Sequence, residues 1–174
     1  MTAQEMREFN IENPDKKQYT KAQHKKADGC NAEEMWQWNR KMPTVEQYTK
    51  LEHSKANECT AYEMRWWNMV LLNVEQYTIN EHRHAKGCNA QEMRYWNHEL
   101  SDAEQYTKAE YSKASGGNTW EVRWWNVWLP NAEQYTKLEH SKANNCNAFE
   151  MRWWNRELPK ADQYTIEEIN LGNN

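Results

Sequence analysis

A Gln-Tyr-Thr triplet recurs at a constant interval along this chain and constrains its fold more than any other feature. Its tyrosines lie 29 residues apart, at Tyr19, Tyr48, Tyr77, Tyr106, Tyr135 and Tyr164. Six such periods fill the 174 residues, and we place the repeats at 3–31, 32–60, 61–89, 90–118, 119–147 and 148–174. A period of this length is typical of proteins in which one supersecondary unit is stacked on its own copies.

The start of each repeat carries the pattern of a helix N-terminus. A Thr or Asn stands three residues before a Glu, so its side chain can accept from an unpaired backbone N–H while the Glu reaches back to another. The pairs are Thr2 with Glu5, Asn31 with Glu34, Thr60 with Glu63, Asn89 with Glu92, Asn118 with Glu121 and Asn147 with Glu150. We therefore predict a first helix in every repeat, ending near a polar break or a proline such as Pro14 or Pro130.

A second helix is predicted in the later half of each repeat. The same capping pattern is matched by Asp15, Thr44, Asn73, Asp102 and Asn131, which stand three residues before Gln18, Gln47, Gln76, Gln105 and Gln134. This helix would run through segments such as QYTKLEHSKA and end in ADGC, ANEC, AKGC, ASGG or ANNC, where Gly and Asn suit a left-handed C-terminal cap. Each repeat is thus predicted to be a helical hairpin of two helices of about ten residues.

A hairpin of this size is marginal alone and must bury one face against its neighbours. We therefore predict an all-α fold, an open α-solenoid of six helical hairpins that forms a single repeat domain over 1–174. A whole number of periods also suits a closed α/α ring, which we keep as the alternative. The polar terminal repeats favour the open form, with Glu8 and Phe9 replacing a pair of aromatic residues and NLGNN closing the chain.

The first helices also resemble a known class of repeat. Met64, Trp67 and Leu71 resemble the spacing of packing residues in helix-hairpin repeats of the tetratricopeptide type, although that repeat is longer and its small Gly and Ala positions do not align. The near-identical repeats and doubled capping patterns resemble those of consensus or designed repeat proteins. Both resemblances extend over the whole chain, and both are based on the regular spacing of the repeats and not on a specific motif.

The composition argues against several classes of protein. The 26 acidic and 22 basic residues leave a net charge of −4, which disfavours a general phosphate-binding surface and therefore nucleic acid. The mean hydropathy of −1.26 is typical of disordered chains, but eleven Trp and nine Tyr at fixed places can supply a core. No apolar run approaches the roughly 18 residues of a membrane span, and MTAQEMREFN lacks an apolar signal segment. We expect a soluble protein, cytoplasmic or recombinant, with no membrane partner.

Two rows of aromatic residues are predicted on the first helices. One row is never polar and is predicted to form the core: Phe9, Trp38, Trp67, Trp96, Trp125 and Trp154. The other row places aromatic residues four apart on an outer face, and its candidate partner-binding residues are Tyr62, Trp66, Trp120, Trp124, Trp128, Phe149 and Trp153. An exposed face of this kind would bind a protein or peptide partner or mediate self-association. The other hypothesis is that it packs between adjacent first helices.

One asparagine recurs in every first helix, at Asn10, Asn39, Asn68, Asn97, Asn126 and Asn155. Asparagine is unfavourable in the middle of a helix, so we expect its amide to have a specific partner. One hypothesis is that the row binds the backbone of an extended peptide, as in armadillo-type repeats. We favour a structural role, in which the amides bond neighbouring repeats or cap a turn, because the row persists into both end repeats.

The titratable groups of the second helix recur in the same way. One position reads Gln23, Glu52, Glu81, Glu110, Glu139 and Glu168 along the chain. Half-buried carboxylates need donors, and the candidates are Arg65, Arg94, Arg123, Arg152 and the indole N–H groups. A catalytic carboxylate would need neighbouring residues that differ from those of the equivalent carboxylates in the other repeats. The sequence singles out none, so we predict no catalytic residue and no enzyme activity.

A histidine precedes a cysteine by six residues in four repeats: His24 and Cys30, His53 and Cys59, His82 and Cys88, His140 and Cys146. The fourth repeat has Tyr111 and Gly117 instead, so we expect the two positions to be coupled. Zinc or copper binding is one hypothesis, but each repeat offers two ligands and stacked helices lie about 8–10 Å apart. We predict small, buried free thiols in a reducing compartment, with no metal site and no cofactor.

Together these patterns predict a structural repeat scaffold without catalytic activity. The alternative is a natural module that binds a protein or peptide through its aromatic face. A third hypothesis is a helical repeat that binds RNA at one base per repeat, which the net charge disfavours.

Overall fold

The structure is a computed structural model, and it describes residues 1–172. Over this range the chain is all-α, with twelve helices and no strand, and none of these helices combines the length and hydrophobicity that a bilayer-spanning segment needs. The first helices of the repeats are α1 (Ala3–Glu12), α3 (Ala32–Lys41), α5 (Ala61–Val70), α7 (Ala90–Glu99), α9 (Thr119–Trp128) and α11 (Ala148–Glu157). The second helices are α2 (Lys21–Lys26), α4 (Lys50–Ser54), α6 (Ile79–His84), α8 (Lys108–Tyr111), α10 (Lys137–Lys142) and α12 (Ile166–Leu171). The predicted series of six helical hairpins is confirmed.

The first helices begin where the capping pattern places them. In all six, the N-cap Thr or Asn accepts a hydrogen bond from the backbone N–H of the Glu three residues later. The reciprocal bond of the capping box forms in α1, where the Glu5 carboxylate accepts from the N–H of Thr2 at 2.8 Å. In four of the following repeats this carboxylate bonds a side chain of the preceding repeat instead: Glu34 bonds Arg7, Glu63 bonds Trp36, Glu121 bonds Arg94 and Glu150 bonds Arg123.

The second helices begin five residues later than predicted. Their N-cap is the threonine of the Gln-Tyr-Thr triplet, at Thr20, Thr49, Thr78, Thr107, Thr136 and Thr165, and each makes a complete capping box with the Glu or Gln three residues on. The prediction of N-caps at Asp15, Thr44, Asn73, Asp102 and Asn131 is wrong, because these residues lie in the connection between the helices. The second helices therefore have only four to six residues.

Two side-chain amides hold the connection between the helices. In the first repeat, Nε2 of Gln18 donates to the carbonyl of Asn13, at the C-terminus of α1, at 2.7 Å. Asn10 donates to the carbonyl of Tyr19 and accepts from its N–H, each at 2.8 Å. The asparagine bonds recur in every repeat. The structural role of the asparagine row is therefore confirmed as a cap on a turn within each repeat, and among residues 1–172 its amides show no bond to a neighbouring repeat.

A residue with left-handed backbone follows each of the first five second helices. These residues are Gly29, Glu58, Gly87, Gly116 and Asn145, with φ between 63° and 83°. The predicted left-handed turn is confirmed, although in ANEC the position belongs to Glu58 rather than Asn57. The turn brings the end of each hairpin back to its start, so that the N–H of Ala32 donates to the carbonyl of Asn57 at 3.0 Å.

The chain divides into two compact units, Met1–Gly87 and Cys88–Asn174. In the first unit α3 lies between α1 and α5, and in the second α9 lies between α7 and α11. Five of the six residues of the predicted aromatic core row are buried, since Trp38, Trp67, Trp96, Trp125 and Trp154 are at most 1% exposed, whereas Phe9 in the first repeat is only half-buried. Hairpins thus stack in sequence order within each unit. The open form of the solenoid, the alternative ring and the single domain over 1–174 stay predictions.

Candidate functional site

The histidine of the second helix bonds the neighbouring repeat. Nδ1 of His53 lies 2.8 Å from the hydroxyl oxygen of Tyr77 in the next repeat, and this hydroxyl donates to the carbonyl of Lys50 at 3.1 Å. His24 and His140 make the same 2.8 Å contact. Because the hydroxyl proton is used on the carbonyl, we assign the imidazole as donor to the tyrosine, with its proton on Nδ1.

Burial keeps the imidazoles of His53 and His140 neutral. It lowers the pKa of His53 to about 4, and it lowers the pKa of His140 to about 4 with a further contribution from the charge of Arg123. The ring of His140 packs 4.4 Å from that of Trp154. A neutral imidazole held in this way between aromatic rings acts as a core side chain.

The cysteines lie beside the same imidazoles. Sγ of Cys30 is 3.7 Å from Nδ1 of His24 and 3.8 Å from the hydroxyl of Tyr48. The four thiols are free and half-buried, and burial raises the pKa of Cys30. No group of three His, Cys, Asp or Glu placed to hold a metal ion occurs within residues 1–172. The contact explains why the histidine and cysteine positions change together.

The fourth repeat has a different side chain at this interface. The ring of Tyr111 lies 4.4 Å from that of Trp125, at the distance found for the histidines, but its hydroxyl extends further and donates to Oε2 of Glu121 at 2.7 Å. Gly117 lacks the thiol side chain that lies beside the histidines of other repeats. A cavity of about 440 Å³, lined in part by Tyr111, Gly117 and Tyr135, lies at this place.

A lysine at the start of the second helix binds two carboxylates of the next repeat. Nζ of Lys50 lies 2.8 Å from Glu75 and 3.1 Å from Glu81, and it donates to the carbonyl of Gln76. Although burial acts in the opposite direction, these carboxylates raise the pKa of Lys50. Corresponding pairs join Lys21 to Glu46 and Glu52, Lys108 to Glu133 and Glu139, and Lys137 to Glu168.

This lysine row was not predicted from the sequence, and the donors predicted for the carboxylates were wrong. Glu52 accepts from the backbone N–H of Thr49 and from Lys25 and Lys21, and these bonds lower its pKa to about 2 although burial opposes the shift. Arginine and indole donors were expected at this position. The signal was a lysine that follows the Gln-Tyr-Thr triplet directly in four of the repeats.

The arginines of the first helix bind a different carboxylate. Nε of Arg94 lies 3.0 Å from Glu121, and Nε of Arg123 lies 3.2 Å from Glu150, in each case at the N-terminus of the next first helix. In the second repeat a tryptophan replaces the arginine, and the indole of Trp36 donates to Glu63 at 2.7 Å. An indole or a guanidinium at this position of the repeat thus donates to the glutamate of the next first helix.

These arginines are also stacked against the outer aromatic residues. Cζ of Arg94 lies 4.4 Å from the ring centre of Trp128 and 5.0 Å from that of Tyr95. Cζ of Arg123 lies 5.2 Å from the ring centre of Trp124. Contacts of this kind are attractive because the ring face is electron-rich. The arginine–aromatic cluster, which we define as Arg94, Tyr95, Trp120, Trp124 and Trp128, lies wholly within the second unit.

The predicted partner-binding residues fall into two groups by burial. Tyr62, Trp120 and Phe149 are 48, 55 and 61% exposed. Trp66, Trp124, Trp128 and Trp153 are half-buried on the same helices. The inner rings therefore contribute to packing, while the outer rings lie at the surface.

The predicted aromatic pairs form in two of three helices. Tyr62 and Trp66 have ring centres 6.0 Å apart, and Phe149 and Trp153 have ring centres 5.9 Å apart. In α9, Trp124 meets Trp128 edge-on at 5.5 Å, and no ring contact joins Trp120 to Trp124 in the described part of the chain. The indole of Trp120 is therefore not held in place by an aromatic contact with Trp124.

The histidine, lysine and arginine rows thus bond neighbouring repeats, whereas Tyr62, Trp120 and Phe149 leave aromatic rings exposed at the surface. Comparisons of this chain with protein-family models, with curated proteins and with solved structures gave no match.

Proposed function

We propose that the protein is a structural repeat scaffold without catalytic activity. The main support is that the titratable side chains bond the neighbouring repeat. His53 bonds Tyr77, and Lys50 bonds Glu75 and Glu81, in each case across a repeat boundary. The same bonds recur between other repeats. An enzyme needs such groups to converge on a substrate in one cleft, whereas a scaffold needs them where the repeats meet.

The proposal extends to the origin and relationship of the repeats. A consensus or designed sequence, with an architecture of the tetratricopeptide kind, is supported by the two copies of EQYTKLEHSKAN and by the same Asn–Tyr turn in all six repeats. A scaffold of this kind gains stability from each repeat interface, so its length is adjustable.

Duplication of one repeat tests the scaffold function. A second copy of residues 32–60, inserted after Thr60, repeats the period and supplies both sides of each interface. We expect helical content to rise in proportion to length and the melting temperature to rise, as followed by circular dichroism. A duplicated chain that loses cooperative melting or helical content would rule out an extendable scaffold.

The exposed rings favour a second candidate function, which is binding of a protein or peptide partner. Trp120 and Phe149 expose more than half of their surface in the second unit, and aromatic residues of this kind contribute strongly to binding interfaces. The test is selection of peptides from a random displayed library on the wild type, with a Trp120→Gln/Phe149→Gln variant as counter-selection. Leu138→Gln, at another exposed apolar position, is the control.

We expect the selected peptides to bind the wild type and the control and to lose binding to the double variant. Melting temperatures of the three proteins should agree closely, because surface substitutions change stability little. Absence of enriched peptides, or equal binding by all three proteins, would exclude the aromatic face as the binding surface.

A further inference from the structure

Arg94 and Arg123 occupy equivalent positions in consecutive repeats, but Arg123 has a second carboxylate acceptor that Arg94 lacks among the described residues. Each donates from Nε to a carboxylate of the next first helix, Arg94 to Glu121 at 3.0 Å. Nη1 of Arg123 also donates to a second carboxylate, that of Glu157. The residue one period before Glu157 is Trp128, which stacks on Arg94 but offers it no oxygen acceptor.

Arg94 is consequently left with an unsatisfied donor in a buried place. The residue is only 4% exposed, and its Nη1 has no hydrogen-bond partner among the described residues. The indole Nε1 of Trp124 is likewise buried without a partner in this part of the chain. Buried donors, above all charged ones, are normally paired because leaving them unpaired is costly. Two neighbouring donors therefore favour an acceptor supplied from outside.

Both side chains line a cavity of about 380 Å³ within the second unit. Tyr95, Trp124 and Trp128 give the cavity an aromatic lining, and Trp120, more than half exposed, adds a ring at the surface. Apolar walls with a few placed polar groups are typical of ligand sites of this size. The lining can thus hold the apolar part of a ligand while Arg94 and Trp124 donate to its polar part.

We propose that this cavity binds the side-chain carboxylate of an acidic residue in a partner peptide. The carboxylate takes the place at Arg94 that Glu157 has at Arg123, and apolar neighbours in the peptide pack on Trp120. A carboxylate is favoured over a neutral carbonyl because Arg123 bonds two carboxylates and Arg94 only one in the described residues. Charge-assisted bonds of this kind are the stronger ones. The inference rests on the second candidate function and specifies its ligand.

The test compares two fluorescein-labelled peptides by fluorescence anisotropy. One peptide has a single glutamate flanked by leucines, and the other has glutamine in its place. We expect the wild type to bind the glutamate peptide at least tenfold more tightly. Trp128→Glu supplies the intramolecular carboxylate that Glu157 provides in the next repeat, and it should abolish this preference. Trp128→Leu removes the same ring without supplying an oxygen acceptor and should keep the preference.

Three results would overturn the inference: equal affinity of the wild type for both peptides, a preference that survives in Trp128→Glu, or no binding of either peptide. Arg94→Lys keeps the charge but lacks Nη1, and it should weaken the preference at least threefold if Trp128→Glu fails to fold. Equal affinity would leave partner binding through the aromatic rings intact. The library selection decides that broader function separately, because it makes no demand on the charge of the peptide.

Discussion

Nδ1 of His53 lies 2.8 Å from the hydroxyl oxygen of Tyr77, 24 residues further along the chain. The same hydroxyl donates to the carbonyl of Lys50, so one buried tyrosine bonds two groups of the preceding repeat. Tyr48 and Tyr164 repeat the arrangement. The Gln-Tyr-Thr triplet therefore recurs because its tyrosine fixes the register between hairpins.

Tyr77→Phe is predicted to lower the free energy of unfolding by about 1–3 kcal/mol, because it leaves a buried imidazole N–H without its acceptor. Tyr135→Phe is the matched control. The hydroxyl of Tyr135 donates to the carbonyl of Lys108 at 3.2 Å and has no histidine partner, since Tyr111 stands there. Urea unfolding followed by circular dichroism should show a larger loss for Tyr77→Phe. Equal losses would mean that the histidine contact adds no stability.

Stability is predicted to fall on mild acidification. Burial lowers the pKa of His53 and of His140 from 6.5 to about 4. Between these values the unfolded chain binds more protons than the folded one, so the loss begins as the pH drops below 6.5 and is complete near 4. By pH 5 it reaches about 2 kcal/mol for each histidine.

Urea unfolding at pH 7, 6 and 5 measures this loss and stays above pH 4.5, below which the unfolded chain would protonate Glu52 while the folded carboxyl, with a pKa of about 2, stays ionised. A variant with both His140→Tyr and Cys146→Gly removes the contribution of His140 and should show a clearly smaller loss. An unchanged free energy of unfolding between pH 7 and 5 would contradict the buried neutral state.

The fourth repeat has Tyr111 and Gly117 where other repeats have His and Cys. We predict that this pair of residues can be introduced together into another repeat. His140→Tyr alone should destabilise the protein, because the longer side chain must share its space with Cys146. Adding Cys146→Gly should recover part of the loss, since the introduced tyrosine could then reach Glu150 as Tyr111 reaches Glu121. A double-mutant cycle is expected to give a coupling free energy of about 0.5–3 kcal/mol. Additive effects would refute the coupling between the two positions.

The inner and outer rings of the aromatic face are predicted to differ in their effect on stability. Trp124→Gln should cost about 1–3 kcal/mol, because the half-buried ring packs on Arg123 and Trp128. Trp120→Gln should change the free energy of unfolding by less than about 0.5 kcal/mol, since this ring is largely exposed. Thermal melts of the two variants provide the comparison. A large loss for Trp120→Gln would place that ring in the core.

The repeat period, the six hairpins and the N-terminus of each first helix could be predicted from the sequence because they depend on local chemistry. Thr2 and Asn118, for example, cap the following turn with their own side chains. The start of the second helix could not be chosen with the same rule. Asp15 with Gln18 and Thr20 with Gln23 both match a capping box, and the choice depends on Asn10, which holds Tyr19 in the connection.

The interface and the candidate site were harder to predict because they join residues of different repeats. The arginine row and the outer tryptophans were both visible in the sequence, but the stacking of Arg94 on Trp128 depends on how two first helices pack. The pairing of Lys50 with Glu75 and Glu81 likewise joins side chains more than twenty residues apart. The repetition of a residue type indicates which positions are structurally important, but the contacts between them depend on how the helices of neighbouring repeats pack.

Deletion of one whole repeat tests whether contacts between neighbouring repeats hold this protein together. Removal of residues 32–60 brings His24 to the spacing from Tyr77 that it has from Tyr48, and it brings Arg7 to the same spacing from Glu63 that it has from Glu34. Circular dichroism and calorimetry are predicted to show unchanged helical content per residue, cooperative melting and a lower melting temperature. Loss of all helical structure, or a melting temperature unaffected by the deletion, would show that contacts between neighbouring repeats do not set the stability of this protein.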